Sequence, residues 1–127
     1  MENIEITGYS RDYFVPTVKF DAETGICSMK GEVYIEDAVS FFTPLIQWID
    51  KYIADKKGAI TFNFELQYFN TSASKRLLDI LFRLKAYQEK GNEVTVNWFL
   101  DEQDPDIEED VDDLGVITNL KINKKFE

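Results

Sequence analysis

Between residues 60 and 68 apolar and polar side chains alternate without a break: Ile60, Phe62, Phe64, Leu66 and Tyr68 against Thr61, Asn63, Glu65 and Gln67. A period of two puts the first set on one side of a β-strand and the second on the other, so the stretch predicts a half-buried strand. From Ala73 the spacing changes. Ala73, Leu77, Ile80, Leu81 and Leu84 recur every three or four positions, with Lys75, Arg76, Asp79, Arg83 and Lys85 mostly off that face, until Gly91 supplies a stop. This predicts an amphipathic helix over residues 72–90. Residues 94–99 alternate again, with Val94, Val96 and Trp98 opposite Thr95, Asn97 and Phe99. Strand, helix of about five turns and strand make a βαβ unit, whose two strands should be parallel and joined by a right-handed crossover. Both strands keep a polar side, so helices are expected on one face of the sheet, with water or a partner on the other.

The rest of the chain fits around that unit. Residues 3–9 alternate weakly through Ile4 and Ile6 and predict an edge strand. Residues 13–20 predict a strand whose Pro16 must lie at an edge or irregularity, because it cannot donate to a ladder. Residues 21–25 form a turn ending in Gly25, and residues 26–33 return as the partner strand of a hairpin. Ala38, Phe41, Phe42, Leu45, Ile49, Tyr52 and Ile53 then mark a helix that ends near Asp55. Pro44 interrupts it, and one kinked helix is expected rather than a restart with Thr43 as N-cap. The Phe41–Phe42 pair, Trp48 and Tyr52 read as core aromatics at the spacing of any core-facing helix. Ile107, Val111 and Leu114 predict a short helix after Pro105 within residues 101–114. Residues 115–126 look strand-like through Ile117, Leu120 and Ile122, with a basic end at Lys121, Lys124 and Lys125. No internal repeat or linker divides the chain, so residues 1–127 are expected to form a single α/β domain.

Composition narrows the function classes. A chain of 127 residues, 44% hydrophobic and 14% aromatic, suffices for one packed core. No uninterrupted apolar run of about 18 residues is present and the N-terminal residues do not resemble an export signal, so a cytoplasmic protein without membrane insertion is expected. Cys27 is the single cysteine and histidine is absent. An internal disulfide, Ser-His and Cys-His nucleophiles and His-based zinc sites are therefore excluded. Cys27 itself reads as a small buried hydrophobe within a strand. The net charge of −10 argues against nucleic acid as a partner. It is also localised: residues 101–114 hold nine acids and no base, while the rest of the chain carries 15 acids against 14 bases. Gly58, Gly91 and Gly115 are single and read as turn residues, so no Gly-rich phosphate loop exists and no cofactor is called for.

The candidate chemistry lies where strand pattern gives way to helix pattern, at Asn70, Thr71, Ser72, Ser74, Lys75 and Arg76. A helix start leaves backbone N–H groups unpaired and carries partial positive charge, which suits a phosphate. Taken alone the hydroxyls read as caps. Phosphorylation of Thr71 would add a charge of about −1.5 to −2 beside the helix start, one turn from Lys75 and Arg76, and would change the local surface while barely disturbing the fold. A rival function uses the carboxylates of residues 101–113 as a small acidic ligand-binding, metal-binding or hydrolytic site. Against a calcium loop, Pro105 and Asp106 occupy the positions that want an Asp or Asn and a Gly.

Several strings together resemble the SiaC-type family of bacterial regulatory phosphoproteins. They are Val15-Pro16-Thr17-Val18-Lys19-Phe20, Gly31-Glu32, residues 37–48 with Phe41-Phe42-Thr43-Pro44 and Trp48, Tyr68-Phe69-Asn70-Thr71-Ser72-Ala73-Ser74-Lys75, and Val96-Asn97-Trp98-Phe99 before the acidic run. At the first long helix the chain has Ile35-Glu36-Asp37 where the family usually has Pro-Glu-Asn. The resemblance implies a STAS-like fold, similar to anti-sigma-factor antagonists: a mixed sheet of N-terminal hairpin plus βαβ unit with helices mainly on one face. It implies a non-enzymatic role in partner switching. A cognate Ser/Thr protein kinase would phosphorylate Thr71 and a PP2C-type phosphatase would reverse it. The unphosphorylated form would bind and activate a diguanylate cyclase, controlling cyclic-di-GMP.

Overall fold

A computed structural model describes residues 1–127, apart from the side chain of Pro105. Six strands form one sheet: β1 (Ile4–Ile6), β4 (Thr17–Phe20), β5 (Ile26–Val33), β6 (Ile60–Phe69), β7 (Val94–Leu100) and β8 (Ile122–Phe126), in that spatial order. A two-stranded ribbon, β2 (Tyr9–Ser10) and β3 (Phe14–Val15), stands beside it. Pro16 is the break between β3 and β4, as its missing N–H requires. β4 and β5 form the expected hairpin. In its turn, Asp21 Oδ1 accepts from the N–H groups of Glu23 at 2.8 Å and Thr24 at 3.1 Å. Gly25 closes the turn at φ +74°, where a Cβ would lie 2.1 Å from the Ala59 carbonyl oxygen.

From β5 onward the strands are parallel. The connections are α1 (Ala38–Asp55), α2 (Thr71–Glu89) and α3 (Glu108–Thr118), the last entered through a single 3-10 turn at Pro105–Ile107. The one βαβ unit expected, on α2, is thus flanked by two more, built on α1 before it and on α3 after it. α2 packs between α1 and α3, so the helices form one layer. Beneath it lie Val18, Phe20, Cys27, Met29, Phe62, Phe64, Leu66, Val96 and Trp98. The opposite face is polar and open, as the alternation predicts. Asn63, Asn97 and Asn123 are neighbours in register, and their amides bond in sequence across β6, β7 and β8 at 2.9 and 3.2 Å.

α1 runs unbroken through Pro44, and Phe42, Trp48 and Tyr52 are buried as core aromatics. Cys27 is fully buried, and its thiol is pushed up to about 12, chiefly by burial and secondarily by the charge of Asp21.

The C-terminal quarter differs from expectation. Residues 115–118 extend α3 instead of starting a strand, and Gly115 is helical rather than a turn residue. Val111, Leu114 and Thr118 continue the buried stripe at spacings of three and four, and the Thr118 hydroxyl is satisfied by the Leu114 carbonyl at 2.7 Å. Asn119 ends the helix at φ 56°, with Leu120 N–H returning to Gly115 O at 3.3 Å. The tertiary face of α3 thus overrides a weak alternation.

Candidate functional site

The chain reaches the candidate site through an irregularity in β6. Gly31 pairs with Leu66 but Glu32 pairs with Tyr68, so Gln67 has no opposite number. Gly31 sits at φ +119°, a conformation that other residues adopt only under strain. One extra residue reverses the alternation. Tyr68, expected on the buried side, is 46% exposed, and Phe69 turns inward, its ring 5.8 Å from that of Trp98. Trp98 also stacks on Phe64 at 4.5 Å and donates its indole N–H to Leu66 O at 3.2 Å, so the core closes tightly just under the bulge.

Asn70 follows and makes the turn. Its N–H donates to Val33 O at 3.0 Å and its Nδ2 to Ile35 O at 3.1 Å. Its Oδ1 accepts from Ala73 N–H at 2.9 Å, which makes it the N-cap of α2. Thr71 is the first residue of that helix and is exposed, as is Ser72. The Ser74 hydroxyl bonds back to Thr71 O at 2.7 Å. The polar run therefore divides: Asn70 caps, Ser74 braces the first turn, and Thr71 and Ser72 face solvent.

The electrostatics distinguish this helix start from its neighbour. At α1, the Asp37 carboxylate accepts from the Ser40 hydroxyl at 2.7 Å and the Ser40 N–H at 3.1 Å, and these bonds hold its carboxyl below the usual range. At α2 the cap is a neutral amide and no acidic residue stands in the first turn. No carboxylate of its own cap or first turn therefore offsets the positive end of α2. Lys75 is exposed and, among the described residues, in no ion pair, whereas the Arg76 guanidinium lies 3.3 Å from Asp79.

Beside this start an open groove of about 520 Å³ is lined by Asp12, Tyr13, Tyr34, Ile35, Glu36, Asn70 and Ser72. The Tyr13 hydroxyl donates to Glu36 Oε2 at 3.0 Å, a contact that raises the phenol's pKa. Tyr13 and Tyr34 are exposed in this groove, and Tyr68 is exposed near the end of β6. The alternation does not place these aromatics at the site. The available signal is Gly31, since a glycine inside a strand pattern marks a bulge and hence a change of face.

The carboxylates of residues 101–113 follow the chain separately. Lys124 Nζ lies 2.8 Å from both Glu108 Oε2 and Asp112 Oδ1, and Asp101 Oδ1 accepts from Gln103 N–H at 2.8 Å. Among the described residues no three acidic side chains converge as metal ligands would, and no helix is long and apolar enough to cross a membrane.

The structure thus places an exposed hydroxyl at the start of a long helix, on a small α/β domain with its helices in one layer. The chain belongs to the SiaC family of regulatory phosphoproteins, whose family model matches residues 9–125. It is 30% identical over 94 residues to an uncharacterized protein of Pseudomonas aeruginosa (strain UCBPP-PA14), covering 74% of this chain and 75% of that one. The crystal structure of apo-SiaC from Pseudomonas aeruginosa is similar with a TM-score of 0.89 and 25% identity, over 98% of this chain and 99% of that one. A chain in the structure of the diguanylate cyclase SiaD in complex with its activator SiaC, from the same organism, has the same fold. The TM-score is 0.85 at 23% identity, over 96% of this chain and all of that one.

Proposed function

We propose that this protein is a non-enzymatic phospho-switch of a cytoplasmic partner-switching system. With Thr71 unmodified, the surface around the start of α2 docks a downstream effector and activates it. The effector is a diguanylate cyclase, by analogy with SiaD and its activator SiaC, and the output is the level of cyclic-di-GMP. A cognate Ser/Thr kinase switches the protein off by phosphorylating Thr71, and a PP2C-type phosphatase resets it.

The observation that carries this reading is the exposure of Thr71 at the first position of a helix whose positive end is capped only by a neutral side chain. A phosphate there meets unpaired backbone N–H groups and the nearby Lys75, so the fold tolerates it. A docking partner does not. It must desolvate a dianion, at a cost of several kcal/mol where no new cation answers it. Asn70 and Ser74 keep the first turn in place in both states, while Ser72, Lys75 and Arg76 belong to the surface the partner reads.

Intact-mass analysis and peptide mapping of protein purified from its own host test the reading. The expected result is a fraction carrying one phosphate, on Thr71. A phosphate found only at other positions, or none under any growth condition, overturns it.

A further inference from the structure

The outer edge of β8 is unpaired. Glu127 N–H donates to Leu100 O at 2.9 Å and Glu127 O accepts from Glu102 N–H at 3.1 Å, so Glu127 turns both backbone groups toward the sheet. Alternation along the strand turns Asn123 and Lys125 inward likewise. The N–H and C=O groups of Ile122, Lys124 and Phe126 then point outward.

That edge is self-complementary when a second copy runs antiparallel to it about Lys124. Ile122 comes opposite Phe126 of the second copy, Asn123 opposite Lys125, and Lys121 opposite Glu127. Ile122 and Phe126 share the helix side of the sheet, since Ile122 is in register with buried Val96. Phe126 is 46% exposed and Val116, on α3 above the edge, is 81% exposed. Val116, Asp112, Leu120, Lys121 and Ile122 line a groove of about 470 Å³. The second copy's Phe126 arrives over that groove.

Lysines on an edge strand ordinarily keep other strands away. Here Lys124 is already held by Glu108 and Asp112 at 2.8 Å each, so it meets its own copy at the centre as an ion-paired side chain. Lys121 and Lys125 face a carboxylate and an amide. Other registers are poorer: a centre at Asn123 sets Lys121 against Lys125 and Ile122 against Lys124, and a centre at Lys125 sets Lys124 against Phe126.

We infer that the β8 edge is a self-association surface, through which two copies of the chain join their six-stranded sheets into one about a two-fold axis at Lys124. Each outward-facing pair exchanges two backbone hydrogen bonds, about six in all. This inference does not depend on the role of Thr71.

Sedimentation equilibrium of the full chain over a wide concentration range tests it, with far-UV circular dichroism to verify that each variant is folded. A reversible dimer is expected. Val116→Glu and Phe126→Asp change exposed side chains and should each raise the dimer dissociation constant by about tenfold or more, because a two-fold interface counts every substitution twice. Lys121→Glu should weaken the dimer, and adding Glu127→Lys should restore it. A wild-type chain that stays monomeric at every concentration overturns the proposal, including the case in which the edge takes a strand from another protein. So does a dimer unmoved by Val116→Glu and Phe126→Asp, or one that the charge reversal fails to restore.

Discussion

The side-chain amide of Asn70 donates to the carbonyl oxygen of Ile35 at 3.1 Å while its oxygen caps Ala73 at 2.9 Å, so one residue ties the start of α2 to the segment leading into α1. The two helix starts are therefore joined through one side chain, and Thr71 follows directly on that residue.

Removing that tie should be felt throughout the fold. Asn70→Ala loses a cap and leaves the half-buried Ile35 carbonyl without its partner, for an expected loss of about 1–3 kcal/mol. Urea denaturation measures it. Asn70→Asp keeps the acceptor and should recover part of the loss, which separates capping from the contact with Ile35.

Thr71 should behave oppositely, with little effect on stability and a large one on docking. Thr71→Ala removes an exposed hydroxyl and should shift stability by no more than about 0.5 kcal/mol. Thr71→Asp adds charge at the positive helix end and should stabilise by about 0.3–1 kcal/mol. In calorimetric titration with the effector, the Ala form should bind as wild type does and the Asp form more weakly. An Asp form that binds as tightly as wild type is incompatible with the switch.

At Gly31 an added methyl group has room, its nearest neighbour beyond the adjoining residues being the Pro16 Cα at 3.8 Å, but φ is +119°. Gly31→Ala should therefore cost about 1–3 kcal/mol through backbone strain alone. If the bulge relaxes to relieve that strain, Tyr68 turns inward, and tyrosine fluorescence quenching by an external solute should fall.

Cys27 should be silent to thiol reagents. Its protonated form is the one the core accepts, with a pKa near 12 against about 8.5 in the unfolded chain. The contribution to stability is complete below the unfolded value and is lost as pH rises from there toward the folded one. At neutral pH an aromatic disulfide reagent should leave the native protein unmodified and label it fully in urea. Rapid labelling of the native state would show that the β4–β5 hairpin opens readily.

Elements whose signal is local could be read directly from the chain. The alternation of residues 60–66, the stripe of α2, the Pro16 break and the Gly25 turn each follow from side-chain period or backbone freedom over a few residues, and the structure has them. The open polar face was equally plain from Thr61, Asn63 and Asn97. The phase of the last residues of β6 came from strand pairing, because a bulge is a mismatch between two strands and Gly31 lies on the other one. Tertiary structure also decided that α3 runs on to Thr118, since the burial of Leu114 and Thr118 comes from a layer of helices that local alternation cannot see. For the site the division is the same: sequence placed Thr71 beside a helix start, while its exposure, the neutral cap and the surrounding tyrosines depend on which chain segments the fold brings together there.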